Sequence, residues 1–199
     1  MDQPIRRIWN SEGWSSVLLI ILAALLAYGV LVPWQGLRWD DWFWGWTAEV
    51  QGADSLIDRL SEDRPGQGVL LAATYSVFGN QLLAWHGYVL VVRIAAALAF
   101  LWALRGLWPE QRMATTTMAV LFVVYPGFLQ QNILVYHGHF TALILFGLSL
   151  GMMLRALKSS RRSHAIALTT VAAVLTALYM LIIEHFVGLE ILRLAFLWA

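Results

Sequence analysis

The chain has 199 residues, of which 60% are hydrophobic and only 13% charged, with a formal net charge of +1. Such a composition is too apolar for a water-soluble domain, and so small a net charge excludes a nucleic-acid partner held by phosphate contacts. No cysteine is present, so neither a disulfide framework nor a thiolate metal site can form.

Taken in order, Arg6 and Arg7 precede an apolar run long enough to cross a bilayer, and no small-residue cleavage site follows it. Residues 15–33 therefore read as an uncleaved first span. Arginines before it and Asp40-Asp41 after it place the N-terminus in the cytoplasm and the acidic loop on the outer face of the cell membrane.

That loop holds the most distinctive stretch of the chain, Arg38-Trp39-Asp40-Asp41-Trp42-Phe43-Trp44-Gly45-Trp46. Five of the eleven tryptophans lie between Trp34 and Trp46. Tryptophan favours the membrane–water boundary, where its ring is apolar and its N–H wet. Within the outer loop, residues 35–66, the apolar side chains Val50, Ala53, Ile57 and Leu60 recur at helical spacing, and Glu49, Asp54, Asp58 and Arg59 take the other faces. The pattern predicts one amphipathic surface helix over residues 47–60, ended by the turn Ser61-Glu62-Asp63-Arg64-Pro65-Gly66.

Residues 67–108 are long enough for two spans. Two spans there would put Arg105, Arg112, Arg155, Lys158, Arg161 and Arg162 outside. Reading residues 67–78 as an interfacial or re-entrant helix, ended by Gly79-Asn80, places every basic cluster in the cytoplasm instead. Further spans follow over residues 82–104, 113–129, 140–157 and 165–183. An outer segment runs from Gln130-Gln131-Asn132 to Tyr136-His137-Gly138-His139, Lys158-Ser159-Ser160-Arg161-Arg162 forms a cytoplasmic loop, and Glu184-His185 returns outside. Residues 186–199 are apolar again, with Glu190 and Arg193 at i, i+3 spacing, which predicts a local ion pair on a helix lying in the interface. Ending in an apolar run, the chain is expected to be a truncated frame or a fragment of a longer membrane protein. The expected fold is an all-α integral membrane protein of about five transmembrane helices with amphipathic and re-entrant helices on the outer face. Gly147 and Gly151 offer a small-xxx-small packing face.

Two adjacent carboxylates at a low-dielectric boundary raise one another's pKa, which suits a general base; the alternative is an acidic loop that caps the next helix. His137 and His139, with Glu184 and His185, can form an outer cluster that binds a divalent cation or a pyrophosphate-like group, or they are polar residues at a membrane boundary. Asp40, Asp41 and His137 are the candidate metal ligands. Arg93 lies within a span, where a charge is costly and functional by default. Its partner would be Glu184 or Glu190, or an anionic ligand, unless it snorkels. Arg38 and Arg64 lie beside the acidic loop, placed for an anionic phosphate or for a bridge to a neighbouring acid. The tryptophans can stack on a sugar ring or anchor the interface. Nothing resembles a P-loop, a dinucleotide fingerprint, a Ser-His-Asp set or a zincin helix, so any transfer requires an already activated donor.

The order of features resembles a known family. An Arg-flanked first span, the Asp40-Asp41 pair, an amphipathic helix, Arg64-Pro65, an apolar helix ending Phe78-Gly79-Asn80 and a span closing Leu104-Arg105 are similar to the N-terminal half of the GT-C type glycosyltransferases. That group includes the lipid A aminoarabinose transferases and the protein O-mannosyltransferases. The resemblance implies a multispan enzyme that moves a sugar from a polyprenyl-phosphate carrier to an outer-face acceptor. Asp40-Asp41 would match the family's acidic pair, and Arg38, Arg64 and Arg93 would meet the carrier's phosphate. A later outer loop of the family commonly carries another acid, where this chain reads Tyr136-His137-Gly138-His139. The rival reading is a non-enzymatic multispan protein, a transporter fragment or an assembly subunit in a homo- or hetero-oligomer. Transporters keep broken helices and charges near the midplane, whereas most polar groups here gather at the outer boundary.

Overall fold

A computed structural model describes residues 3–125 and 134–198, with side chains placed over 13–125 and 134–196. The described residues are helical, with no strand. The helices are α1 (Gln3–Ala27), α2 (Asp40–Gln51), α3 (Ser55–Leu60), α4 (Pro65–Phe78), α5 (Leu82–Leu107), α6 (Arg112–Val124), α7 (His137–Leu157), α8 (Arg162–Ile182) and α9 (Gly188–Trp198).

Among the described residues, four stretches are long and apolar enough to cross a membrane: Gly13–Trp34, Leu82–Leu107, Leu134–Leu157 and Arg162–Ile182. They begin or end within a few residues of the expected spans. The first is α1 continued by a 3₁₀ turn, Gly29–Trp34, that accommodates Pro33. Of the expected third span, residues 113–129, the described part is α6, whose 13 residues rise about 20 Å. Residues 126–129, with Gln130-Gln131-Asn132, lie outside the described residues. The fourth starts earlier than expected: a 3₁₀ turn at Leu134–Tyr136 leads straight into α7, so His137 and His139 open a helix rather than sit in a loop.

Helix α5 is the central post. Ile20 and Ala24 of α1 meet Ala97 and Leu101 of α5 and Ala119 and Val123 of α6 in one apolar cluster. Phe146, Leu150 and Leu154 of α7 join Ala103 of α5 to Tyr179 and Ile182 of α8 in a second. The α5–α7 crossing is close because Gly147 faces the backbone of Ala99, where an added Cβ would stand 3.1 Å from the carbonyl carbon. Gly151 likewise makes room for the Trp102 ring. Only 22% of the first apolar window and 17% of the last are buried. The bare faces of Leu18, Leu22 and Leu26 on α1 and Val174, Leu178 and Leu181 on α8 suit lipid rather than water.

Contacts fix which helix ends coincide. Arg105, near the end of α5, donates to Ser16 of α1 and Thr116 of α6, and Lys158 donates to the carbonyl of Gly106. At the opposite end the Tyr28 hydroxyl donates to the Tyr125 carbonyl. Six cations, Arg105, Arg112, Arg155, Lys158, Arg161 and Arg162, thus share one end. The acids Asp40, Asp41, Glu49, Asp54, Asp58, Glu62, Asp63 and Glu184 share the other.

The acidic end is capped by α2, α3 and α4. The single helix expected over residues 47–60 is instead two, because Gly52 adopts φ 88° and breaks the chain between α2 and α3. Helix α4 does not cross the molecule. Its start, at Gly66, lies against the backbone of Leu181, and its end reaches Glu49 through Tyr75, so both ends stay at the acidic end. Leu56, Leu60 and Leu71 of the cap pack on Trp85, Val89 and Phe140 of the spans below.

Helix α9 packs one side on the bundle and leaves Ile191, Leu192 and Leu194 exposed on the other. It turns back against α7 and α8, and Phe196 reaches Trp108 with ring centroids 6.2 Å apart. The Glu190–Arg193 pair forms at 2.7 Å, as the spacing predicts, but Arg193 is buried. It donates to Ser149 and Thr176, both at 3.0 Å, while Tyr179 donates to Glu190. A charged helix that must satisfy its arginine away from water is drawn to hydroxyls on neighbouring helices.

Candidate active site at the acidic end

The Asp40-Asp41 pair is not in a loop; it forms the first turn of α2. The chain enters this helix through Trp39, the one non-glycine residue with positive φ (47°) among the described residues. That sharp corner lets Asp41 reach back. Its backbone N–H donates to the Arg38 carbonyl at 2.9 Å, and one carboxylate oxygen accepts from the Arg38 N–H at 3.1 Å. These two bonds close a turn across the start of α2, but Asp41 is not its N-cap: that residue is Trp39, which makes no side-chain capping bond.

The other Asp41 oxygen accepts from the backbone N–H of Val135, also at 3.1 Å, in the turn that begins α7. Burial pushes the Asp41 carboxyl above the ordinary carboxylate range; backbone N–H groups from Leu134, Val135 and Arg38 oppose the shift, and Asp40 adds to it. Asp40 itself is exposed. The two acids therefore differ: one is solvated, the other is held at the wall of a cleft.

That cleft, about 160 Å³, lies between α2, α4, the start of α5 and the Leu134–Val135 turn. Trp44, Trp85 and Leu71 give it apolar walls, and Asp41 is its acid. Tyr75 and Asn80 form a polar rim, where the Tyr75 hydroxyl donates to the Asn80 side-chain oxygen, Glu49 lies 3.4 Å from that hydroxyl, and the Asn80 amide donates to Glu49 at 2.8 Å. Burial, and then Glu49, push the Tyr75 hydroxyl upward in pKa, so it stays protonated and a donor. Trp85 is held by its indole N–H donating to the Gly79 carbonyl at 2.8 Å. Sequence reasoning missed Tyr75, Asn80, Trp85 and Glu49 as one group. The available signal was three polar or amphipathic side chains, Tyr75, Asn80 and Trp85, about the Phe78-Gly79-Asn80 helix end, a place where the chain must turn; Glu49 is brought to them only by folding.

The second expected group assembles in part. Arg64 grips Glu184 through two hydrogen bonds of 2.7 and 2.8 Å. His185 touches Glu184 at 3.5 Å, and the His139 ring lies 5.7 Å from that of His185. Arg64, acting chiefly by hydrogen bonding, drives the Glu184 carboxyl down to about 2. His137 is not in this group: it is fully buried, donates from Nδ1 to the Leu134 carbonyl at 2.8 Å, and packs 5.6 Å from Trp85 and from Tyr88. Among the described residues no three His, Asp or Glu side chains are grouped so as to hold a metal ion, so Asp40, Asp41 and His137 do not form the suggested ligand set.

Arg93 meets neither Glu184, which Arg64 holds, nor Glu190, which Arg193 holds. Buried within α5, its guanidinium stacks 3.6 Å from the Tyr28 ring and 4.8 Å from Phe140 and donates to the Tyr28 hydroxyl. An aromatic cage supplies the partner the sequence sought among carboxylates, because cation–π contact gains when desolvated. Arg38 is exposed, contributing its backbone to the turn at Asp41. The sequence matches no protein-family model, no curated protein and no solved structure.

Proposed function

We propose that the acidic-end cleft is the acceptor site of a membrane glycosyltransferase of the GT-C type, which draws on a polyprenyl-phosphate sugar. The observation that carries this reading is the position of Asp41: a carboxyl with raised pKa at the wall of an aromatic cleft at the acidic end of the helices. Each carboxylate oxygen has further lone pairs beyond those taken by Arg38 and Val135, so Asp41 can accept a proton from an acceptor hydroxyl. The hydroxyl oxygen then bonds to the anomeric carbon as the bond from that carbon to the carrier's phosphate breaks, and the lipid phosphate leaves with the electron pair. A cavity of roughly 150 Å³ takes up a six-membered ring such as benzene, and Trp44 and Trp85 offer faces for one here. In this reading the acidic end faces outward and the six-cation end faces the cytoplasm, as the distribution of Lys and Arg favours. Arg38 meets the carrier's phosphate; Arg64 does so only by releasing Glu184, and Arg93, His137, His139 and His185 position the frame. Loss of labelled-sugar transfer in Asp41→Asn membranes, with the protein present at wild-type level, supports the reading. Undiminished transfer refutes it, and dependence on Asp40→Asn alone moves the base to the solvated acid.

One observation favours the non-enzymatic alternative: both Asp41 oxygens bond to backbone N–H groups, which is how a structural clasp is built. Asp41→Asn then lowers stability without altering any transfer or the quenching of tryptophan fluorescence by added polyprenyl phosphate.

A further inference from the structure

At the basic end, α5 forms the floor of a groove walled by α1 and α7. The groove is about 480 Å³ in volume. Its deeper part is apolar, with Val17 of α1, Leu98 and Leu101 of α5 and Leu154 of α7. Its rim carries Arg105, Arg155 and Lys158, and none of the lining residues is acidic.

We infer that this groove binds the headgroup of an anionic phospholipid, with the upper part of an acyl chain against its apolar floor. Three cations reach one opening from two different helices, so their placement is not explained by either helix terminus alone. Arg155 lies flat on the Trp102 ring at 3.6 Å and gives one N–H to the Gly151 carbonyl. Lys158 gives one N–H to Gly106 at 2.6 Å. A guanidinium has five N–H donors and an ammonium three, so both keep donors for a phosphodiester. Stacking on Trp102 fixes the Arg155 plane and lessens what binding must freeze. Gly151 is the reason the stack fits: a Cβ there would collide with the Trp102 ring. Charge at the rim and hydrocarbon beneath it match a lipid, whereas a free phosphate would leave the floor uncovered. The inference does not depend on the proposed sugar transfer, since it uses the opposite end of the molecule.

The test uses the full chain in detergent, with retained lipid read by native mass spectrometry. Dioleoylphosphatidylglycerol is compared with dioleoylphosphatidylcholine, and excess inorganic phosphate serves as competitor. The wild type retains the anionic lipid with roughly thirtyfold preference, and Arg155→Gln/Lys158→Gln brings that preference near parity. Lys158→Arg keeps it. Equal retention of the two lipids by the wild type, an unchanged preference in the double variant, or full displacement by inorganic phosphate each overturns the inference. Should the double variant fail to fold, Lys158→Gln alone decides, because that side chain is exposed. A loss of about fivefold sustains the site, and no loss refutes it.

Discussion

Asp41 and Val135 are 94 positions apart in the chain, yet the carboxylate of one accepts the backbone N–H of the other at 3.1 Å. This bond ties α2 to the 3₁₀ turn that precedes α7, at the wall of the cleft. Replacing Asp41 with Ala leaves two backbone donors without their acceptor and costs about 2–4 kcal/mol, while Asn, which keeps one acceptor, costs about half as much. Thermal unfolding of the purified variants in one detergent measures the difference.

The same residue sets a pH dependence. Burial raises the Asp41 carboxyl, so the folded chain binds that proton more tightly than the unfolded one. Its contribution to stability therefore falls as pH rises from the ordinary value of 3.8 through the raised one. The deficit in unfolding midpoint of Asp41→Asn relative to wild type, followed from acid towards neutral pH, should narrow across that window.

Glu184 behaves in the opposite sense. Its carboxyl is held down to about 2 by Arg64, so the stabilisation is present above the ordinary value of 4.5 and is lost as pH falls towards 2. Because both side chains are partly solvated, Arg64→Gln costs no more than about 1 kcal/mol at neutral pH. The acid-side slope of the stability curve should flatten in that variant, and exchange of the pair (Arg64→Glu with Glu184→Arg) should restore much of it.

Arg193 is buried and pairs with Glu190, whose side chain keeps 28% of its exposure, with Ser149, Thr176 and Tyr179 around them. Arg193→Met leaves Glu190 without its cation and costs about 1–3 kcal/mol, whereas adding Glu190→Gln recovers much of that loss. A double-mutant cycle by unfolding in mixed micelles checks this. If the two losses simply add, the pair is not coupled.

Gly147 sits where α5 and α7 come closest, facing the Ala99 backbone. Neither backbone can give way cheaply, so Gly147→Val should cost about 1–3 kcal/mol, while the same change at Gly13, which has open space around it, should cost far less. Thermal midpoints of the two variants make the comparison.

Much of the frame was legible in the sequence because a bilayer imposes a one-dimensional constraint. Uninterrupted apolar length marks α1, α5, α7 and α8, and the clustering of arginines shows that residues 67–78 stay at one end. The Glu190–Arg193 pair followed from helical spacing. Tertiary structure alone decided how these parts meet. It split residues 47–60 at Gly52, since a local hydrophobic period does not report a backbone that must turn to cover a core. It buried Asp41 and left Asp40 in solvent, because one residue along a helix is a rotation of about 100°. It gave Arg93 an aromatic cage and Arg193 hydroxyls from α7 and α8, partners far away in sequence. Which polar groups are desolvated together depends on the distances between segments, and those distances are set by packing rather than by the order of residues.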